Sequence, residues 1–429
     1  MKNFREILAN QRQELEATDF SGFVRRKEEA AIDLDSKLAQ IVIGVRRCGK
    51  STICQRRLLE SGRNFAYINF DDENLGNLKA EELNDVMDAL YKINGDFTHL
   101  FIDEVQNAPS WPLFVNRILR QGLHVVITGS NANLLGGELA THLTGRYNQI
   151  ELLPFSFAEY CNAKQVDTVS LSTKANAFRY TALEQYIKTG GFPEMINEAQ
   201  PVMYNYAMSL LNAVISKDIA RRYKIKYKAT LNDIASGLID KFCQEISASS
   251  VAKTHGLKSV HTAANYIQYV LEAYLMVAVP SFSYKSAERQ QKKKLYVIDN
   301  AFVDSHKDTL QPENLGWRLE NVVALELKRR INPDYQGLYY IRKNKDFEVD
   351  FAITERSHVN QLIQVTYNFQ NPTTKLYNRE IGGLVKASRT TMCDDLTLVV
   401  MDGNNEVLSV DGKQIKIVRA TDWLLSEIK

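Results

Sequence analysis

Long apolar runs are missing from this sequence. No stretch approaches the roughly 20 apolar residues that span a bilayer, and the amino terminus, MKNFREILANQRQEL, is charged and lacks the apolar core of a secretory signal. Cysteine is scarce: Cys48, Cys54, Cys161, Cys243 and Cys393 are odd in number, far apart and never form a CxxC pair. That argues against a disulfide framework or a cysteine zinc site and fits a reducing cytosol. An excess of one charge is lacking too. Lys and Arg total 53 against 51 for Asp and Glu, a formal net charge of +2, so any basic surface must be local. There is no internal repeat and no low-complexity linker. The expectation is a cytoplasmic protein with no membrane partner. Its 429 residues, 45% of them hydrophobic and 24% charged, suffice for about two to four domains with real cores.

What is present is ordered. Met1 to about Ala39 places Phe4, Ile7, Leu8 and Leu15 at helical spacing. From Gln40, short apolar runs alternate with amphipathic segments: IVIGV (41–45), FAYINF (65–70), HLFIDEV (99–105), HVVITGS (124–130) and QIELLPF (149–155). Strand and helix repeated in this way predict an α/β fold with a parallel sheet covered by helices. Residues 160–240 read as helical, interrupted by GGFPE at 190–194. Residues 245–300 read as helix, turn, helix and two strands, and from Leu315 onward a helix, several strands and more helix form a further mixed domain.

The stretch Gly44-Val45-Arg46-Arg47-Cys48-Gly49-Lys50-Ser51 matches GxxxxGK[ST] without a mismatch, between a strand and a helix. The chemistry accounts for the spelling. Glycines let backbone N–H groups wrap phosphates, and the helix start adds partial positive charge. Lys50 reaches the β- and γ-phosphates and Ser51 ligates Mg²⁺. The nucleotide-binding set is Gly44, Arg46, Arg47, Cys48, Gly49, Lys50, Ser51 and Thr52. About fifty residues on, HLFIDEV ends in Asp103, placed for the Mg²⁺ shell, and Glu104, placed to polarise water. With FAYINF between loop and acids, the acidic strand need not neighbour the loop strand. HVVITGSNANLL ends in Thr128, Ser130 and Asn131, and Ser130 can contact the γ-phosphate or cap a turn. Arg146 follows a glycine in an exposed turn, where an arginine finger acting in trans, and so a homo-oligomer, is one reading and an ordinary surface arginine the other.

Taken in order, GVRRCGKST, LFIDEVQNAPSW, VITGSNANLL, LTGR, LLPFSFAEY, GGFPE, LENVVALELKRR and EVDFAI resemble the prokaryotic AAA-type ATP-binding proteins with a carboxy-terminal domain of unknown function. The resemblance runs from about Ala31 to Lys429. It implies a P-loop ATPase domain with amino-terminal helices (1–158), a helical region (159–240), a winged-helix domain (241–312) and a restriction-endonuclease-like domain (313–429). By the same match Lys50 and Ser51 contact nucleotide and Mg²⁺, Asp103 the metal and Glu104 the water.

Nuclease folds of that kind need an acid on a helix, an Asp on a strand and an acid-x-Lys on the next. Here Glu320 and Asp350 fit the first two, but the next strand reads Gln364-Val365-Thr366, and nothing requires Lys375 to move into place. An amide is a poor Mg²⁺ ligand and threonine carries no charge. The expectation is an inactive domain kept for binding.

Two basic runs point to nucleic acid. Arg221 to Lys228 interleaves five cations with Tyr223 and Tyr227; Arg289, Lys292, Lys293 and Lys294 fall where a wing would touch a phosphate backbone. The helix from about Ser259 to Leu271 offers His261, Asn265 and Gln268 but few cations. The sequence thus predicts an ATP- and Mg²⁺-dependent ATPase working as a switch or motor on DNA or on a protein client. The alternatives are a nucleotide-dependent binding module with little hydrolysis, and a DNA-processing nuclease using the carboxy-terminal domain.

Overall fold

The five apolar runs between Gln40 and Phe155 become the strands of one parallel sheet: β1 (Ala39–Ile43), β2 (Phe65–Asn69), β3 (His99–Asp103), β4 (His124–Gly129) and β5 (Tyr147–Glu151), in the order β2-β3-β4-β1-β5. The computed structural model describes residues 3–131, 143, 145–283, 292–304, 314–343 and 346–426. These fall into two units, Met1–Pro154 with Glu272–Tyr274, and Phe155–Leu271 with Leu275–Lys429. In the first unit β1 and β3 are buried at every position, which is why they read as unbroken apolar runs rather than as alternating ones. Helices α1 (Phe4–Glu16), α2 (Lys50–Glu60), α3 (Leu83–Asn94) and α4 (Trp111–Arg120) pack on the sheet. Helix α1 buries Phe4, Leu8 and Leu15, and its buried Gln11 clasps the edge of β2: the amide donates to Asn69 O at 3.1 Å and accepts from Asn69 N at 2.9 Å. Strand β4 lies between β1 and β3, so the acidic strand is not the loop strand's neighbour. Because all strands run the same way, the ends of β1, β3 and β4 share one edge of the sheet, the usual place for a ligand.

The second unit opens with helices α5 (Phe157–Ala163), α6 (Thr173–Thr189), α7 (Gln200–Ala213, continued as a π-helix over Val214–Arg221) and α8 (Lys228–Ile239). Helix α6 stops at Gly190, whose φ is +78°; a Cβ there would stand 1.6 Å from Asp299 Oδ1, so no other residue fits without movement. Next come β6 (Gln244–Ile246), α9 (Ala248–Thr254), α10 (Val260–Glu272), β7 (Met276–Pro280) and β8 (Lys293–Val297), with the strands forming an antiparallel sheet in the order β6-β8-β7. The last part runs α11 (Leu315–Arg330), β9 (Gln336–Lys343), β10 (Phe347–Glu355), β11 (His358–Thr366), α12 (Thr374–Thr391), β12 (Leu396–Val400), β13 (Glu406–Val410), β14 (Lys413–Arg419) and α13 (Ala420–Leu425). Its sheet has the order β13-β14-β12-β11-β10-β9. Strands β9, β10 and β11 are antiparallel neighbours, while β11, β12 and β14 run parallel. Val349, Leu362, Ile381, Leu384, Leu398 and Ile415 join α12 to this sheet in one apolar core. Among the described residues no helix is long and apolar enough to cross a membrane.

Candidate functional site

The turn after β1 has the geometry its glycines predict. Gly44 leaves the strand so close to the neighbouring chain that a Cβ would meet Leu152 O at 2.0 Å. Arg47 and Gly49 both take positive φ, 68° and 99°, and Gly49 caps the first turn of α2. A turn that closes on two left-handed residues points successive N–H groups inward, the form of an anion cradle. Buried Arg26 braces it from behind, donating to Cys48 O at 3.2 Å and Leu153 O at 2.9 Å. Cys48 is itself buried, with Sγ donating to Leu152 O at 3.3 Å, and burial pushes its thiol above the ordinary value. That removes it as a reactive thiolate. Arg46 pairs with Asp71 at 3.4 Å. Arg47 is exposed, and Thr52 lies half-buried in α2.

The loop and the acids meet. Ser51 Oγ donates to Asp103 Oδ1 at 2.8 Å, and Lys50 Nζ stands 3.9 Å from Glu104 Oε1 while donating to Val45 O at 3.1 Å. Thr128 Oγ1 also donates to Asp103 and accepts from Glu104 N at 3.0 Å, so β4 locks both acids. Burial, with the charge of Glu104, pushes the Asp103 carboxyl up to about 6 despite hydrogen bonds from Thr128 and Ser51. Glu104 behaves oppositely. Burial alone would raise it, but Lys50, the Gln106 amide, Arg46 and Ser130 together hold it below its ordinary value. The oxygen donors Ser51 and Asp103 suit a hard cation such as Mg²⁺, which takes few protein ligands and completes its shell from phosphate and water.

Ser130, at the end of β4, accepts from Gln106 Nε2 at 3.1 Å, and the same amide donates to Glu104. Gln106 Oε1 is buried without a hydrogen-bond partner, leaving an acceptor beside the Glu104 carboxylate. Gln106, Tyr67, whose hydroxyl reaches Asp103 Oδ2 at 3.4 Å, and Arg26 were not legible as site residues. Gln106 had a signal, lying two residues past Glu104. Tyr67 stood out only as a hydroxyl in an apolar strand, and Arg26 had no signal. Arg146 departs from the set. It precedes β5, where Tyr147 pairs with Ala39 at the start of β1, and its guanidinium binds Asn116 at 2.7 Å. It therefore lies at the opposite end of the sheet from the loop and takes no part in its own chain's site.

In the second unit the basic candidates separate. Tyr223 stacks on Tyr269 at 3.8 Å, whereas Tyr227, Lys224, Lys226 and Lys228 are exposed. His261 and Gln268 are exposed, with His261 against Asn265 at 3.3 Å. Arg289 lies outside the described residues. Lys293 and Lys294 belong to β8 rather than to the turn, Lys292 pairs with Glu245 at 3.3 Å, and Lys294 is buried against carboxylates. Lys294 is thus no backbone-contacting cation, a correction to the sequence reading. Lys375 is exposed at the start of α12.

Comparison with known proteins agrees with the first unit. A family model described as an AAA domain matches residues 36–161, and one described as a domain of unknown function (DUF8612) matches residues 180–312. The chain is 33% identical over 414 residues to the uncharacterized protein MJ1544 of Methanocaldococcus jannaschii, covering 92% of this chain and 90% of that protein. It is 28% identical over 377 residues to an uncharacterized protein of Haemophilus influenzae, covering 82% and 92%. Among solved structures, the Thermotoga maritima RuvB Holliday junction branch migration motor is similar with a TM-score of 0.30 and 13% identity, over 65% of this chain and 93% of that one. The chain belongs to the family of the Methanocaldococcus jannaschii protein, and residues 36–161 of its amino-terminal unit match the AAA domain model.

Proposed function

We propose that the first unit binds ATP with Mg²⁺ and hydrolyses it, and that the cycle drives a switch or motor action on a client. The observation that carries this is the 2.8 Å contact of Ser51 with Asp103 beside Lys50 and Glu104. Ser51 and Asp103 would hold the metal, which supplies charge neutralisation at the phosphates. The chain's own residues do the rest. Loop N–H groups orient the triphosphate, Lys50 offsets charge developing on the γ-phosphoryl group, and Glu104 takes the proton of the attacking water. Ser130 accepts from the Gln106 amide that also donates to Glu104, which supports a role for it in sensing the γ-phosphate. Calorimetry tests binding: the wild type takes up ATP and Lys50→Ala takes it up roughly ten- to a hundredfold more weakly. An absence of adenine nucleotide uptake by the wild type overturns the reading. Turnover tests hydrolysis: Glu104→Gln keeps the nucleotide but stops splitting it, and equal turnover by the two leaves a binding module instead.

For the rest of the chain we infer a helical region (159–240), a winged-helix domain (241–312) and an endonuclease-like domain (313–429). The helix pair α9–α10 followed by β7 and β8 supports the second. The order helix, three antiparallel strands, helix, parallel strand supports the third. Exposed Lys224, Lys226, Tyr227 and Lys228 favour a nucleic-acid client. ATPase stimulation by DNA that fades with rising salt is expected; no response to DNA favours a protein client.

A further inference from the structure

Arg146 lies at the far end of the sheet from its own chain's phosphate loop, but another arginine stands inside that loop. Lys50 marks the place of the terminal phosphates: its Nζ donates to Val45 O at 3.1 Å and stands 3.9 Å from Glu104 Oε1. Arg46 follows Val45, so it leaves the loop beside that ammonium. Its side chain is only 15% exposed, whereas the adjacent Arg47 is exposed. The Arg46 guanidinium reaches Asp71 Oδ2 at 3.4 Å, and Asp71 Oδ1 accepts from Asn107 Nδ2 at 3.3 Å. Asp71 lies two residues past β2, and Asn107 closes the short 3-10 turn that begins directly after Glu104. Arg46 is thereby held on the Glu104 side of the loop. Glu104 feels its charge: burial pushes that carboxyl up, and Arg46, after Lys50 and Gln106, is among the groups that hold it down.

The pairing of Arg46 with Asp71 is easily exchanged. The Asp71 side chain is 43% exposed, and water screens an ion pair of that kind until it contributes little. A triphosphate offers a guanidinium more charge and a better fit, because the planar fork takes two phosphate oxygens at once. Trading one carboxylate for a phosphate is nearly neutral while ATP is intact. It becomes favourable as charge grows on the transferring group, and only such a difference speeds the reaction. A cation already inside the loop also needs no neighbouring chain.

We propose that Arg46 is a catalytic residue of the ATPase, exchanging Asp71 for the γ-phosphoryl oxygens and doing within one chain what an arginine finger does between two. The proposal rests on the ATPase reading of the first unit and adds the cation that acts in the transition state. The water oxygen bonds to the γ-phosphorus, and the bond from that phosphorus to the β–γ bridging oxygen breaks. The water's proton passes to Glu104, and ADP and inorganic phosphate leave. Arg46 offsets the negative charge on the γ-oxygens and the bridging oxygen during this step. Asp71 and Asn107 are positioning residues that keep the guanidinium beside the site between turnovers.

The test uses the full chain with ATP and Mg²⁺, and with ADP plus aluminium fluoride, a mimic of the phosphoryl group in transfer. Arg46→Ala should lower ATP turnover by about 10²–10³-fold while calorimetry finds ATP and ADP affinities within a few-fold of wild type. It should also lose the tight ADP–aluminium fluoride complex that the wild type forms. Arg46→Lys, which keeps the charge without the fork, should recover part of the turnover. An equimolar mixture of Arg46→Ala and Glu104→Gln should stay as slow as its parts, because a cation acting in its own chain cannot be lent to another. Circular dichroism checks folding; if Arg46→Ala does not fold, Arg46→Lys and Arg46→Gln carry the test. Turnover by Arg46→Ala equal to wild type overturns the proposal, as does a loss confined to ATP affinity, the mark of a ground-state contact alone. Turnover restored in the mixture overturns it too, by placing the arginine on a neighbouring chain. Wild type that takes up or splits no ATP overturns the ATPase reading and this proposal together, whereas wild type that splits ATP keeps that reading whatever Arg46 does.

Discussion

Among the described residues two lysines are buried near carboxylates, Lys50 and Lys294, and they are held in opposite ways. Lys50 donates to a carbonyl of its own loop and stands 3.9 Å from the nearest carboxylate oxygen, so much of its charge is available to an incoming phosphate. Lys294 is committed to three carboxylates at 2.7–3.2 Å. Burial alone would lower the Lys294 ammonium, but Glu320, Asp350 and Glu348 outweigh it and hold it well above its ordinary value. One lysine waits for its counter-charge. The other already has it. Their removal should therefore fail differently, the first mainly in function and the second in stability.

The largest effect belongs to the first site. Glu104→Gln should lower ATP turnover by about 10²–10⁴-fold while leaving nucleotide affinity within a few-fold, read by a phosphate-release assay beside calorimetry. Lys50→Ala should weaken ATP binding by roughly ten- to a hundredfold, the worth of a charge-assisted contact. If Lys50→Ala also unfolded the first unit, the contrast between a waiting and a committed lysine would be broken.

Next come two stability effects in the second unit. Lys294→Met strands Glu320 and Asp350 without a cation and should cost roughly 3–5 kcal/mol by denaturant unfolding. Adding Glu320→Gln, which removes one of the stranded charges, should recover part of that loss. Additive losses would show that the carboxylates do not depend on the ammonium. Gly190→Ala forces a Cβ against Asp299 at positive φ and should cost roughly 2–4 kcal/mol, with ATP turnover in the first unit little changed.

The same contrast explains what was legible in the sequence. The phosphate loop is contiguous, its glycines are required by backbone geometry, and its acids end a strand whose apolar run is plain, so the loop and the two acids that meet it could all be named from local residues. The five strands of the first sheet were legible because both faces of its central strands are buried. Strands β13 and β14 were not singled out, because one face is exposed and their alternation is weak; Asp411-Gly412, both at positive φ, was the available turn signal. Glu320 and Asp350 were legible as acids on a helix and a strand. Lys294 was read as a wing cation because its partners lie 26 to 56 residues away, and no local pattern records a contact made by packing one sheet against another element. Arg146 was placed by exposure alone; only the strand register assigns it to the far end of the sheet.

The smallest effect tests the tuning of the first site. Gln106 donates to Glu104 and is among the groups that hold its carboxyl low against burial, which pushes it up. Removing that donor withdraws support from the charged form, so the Glu104 pKa should rise in Gln106→Ala. The acid limb of the pH–turnover profile should move to higher pH, while turnover on the plateau falls only several-fold, because the base is still present but less well oriented. Ser130→Ala leaves the amide in place and should move the limb less. A limb that stays fixed in Gln106→Ala would mean that Lys50 alone sets the charge of Glu104. The two buried lysines would then be alike, each governed by a direct carboxylate partner rather than by the amide between Glu104 and Ser130.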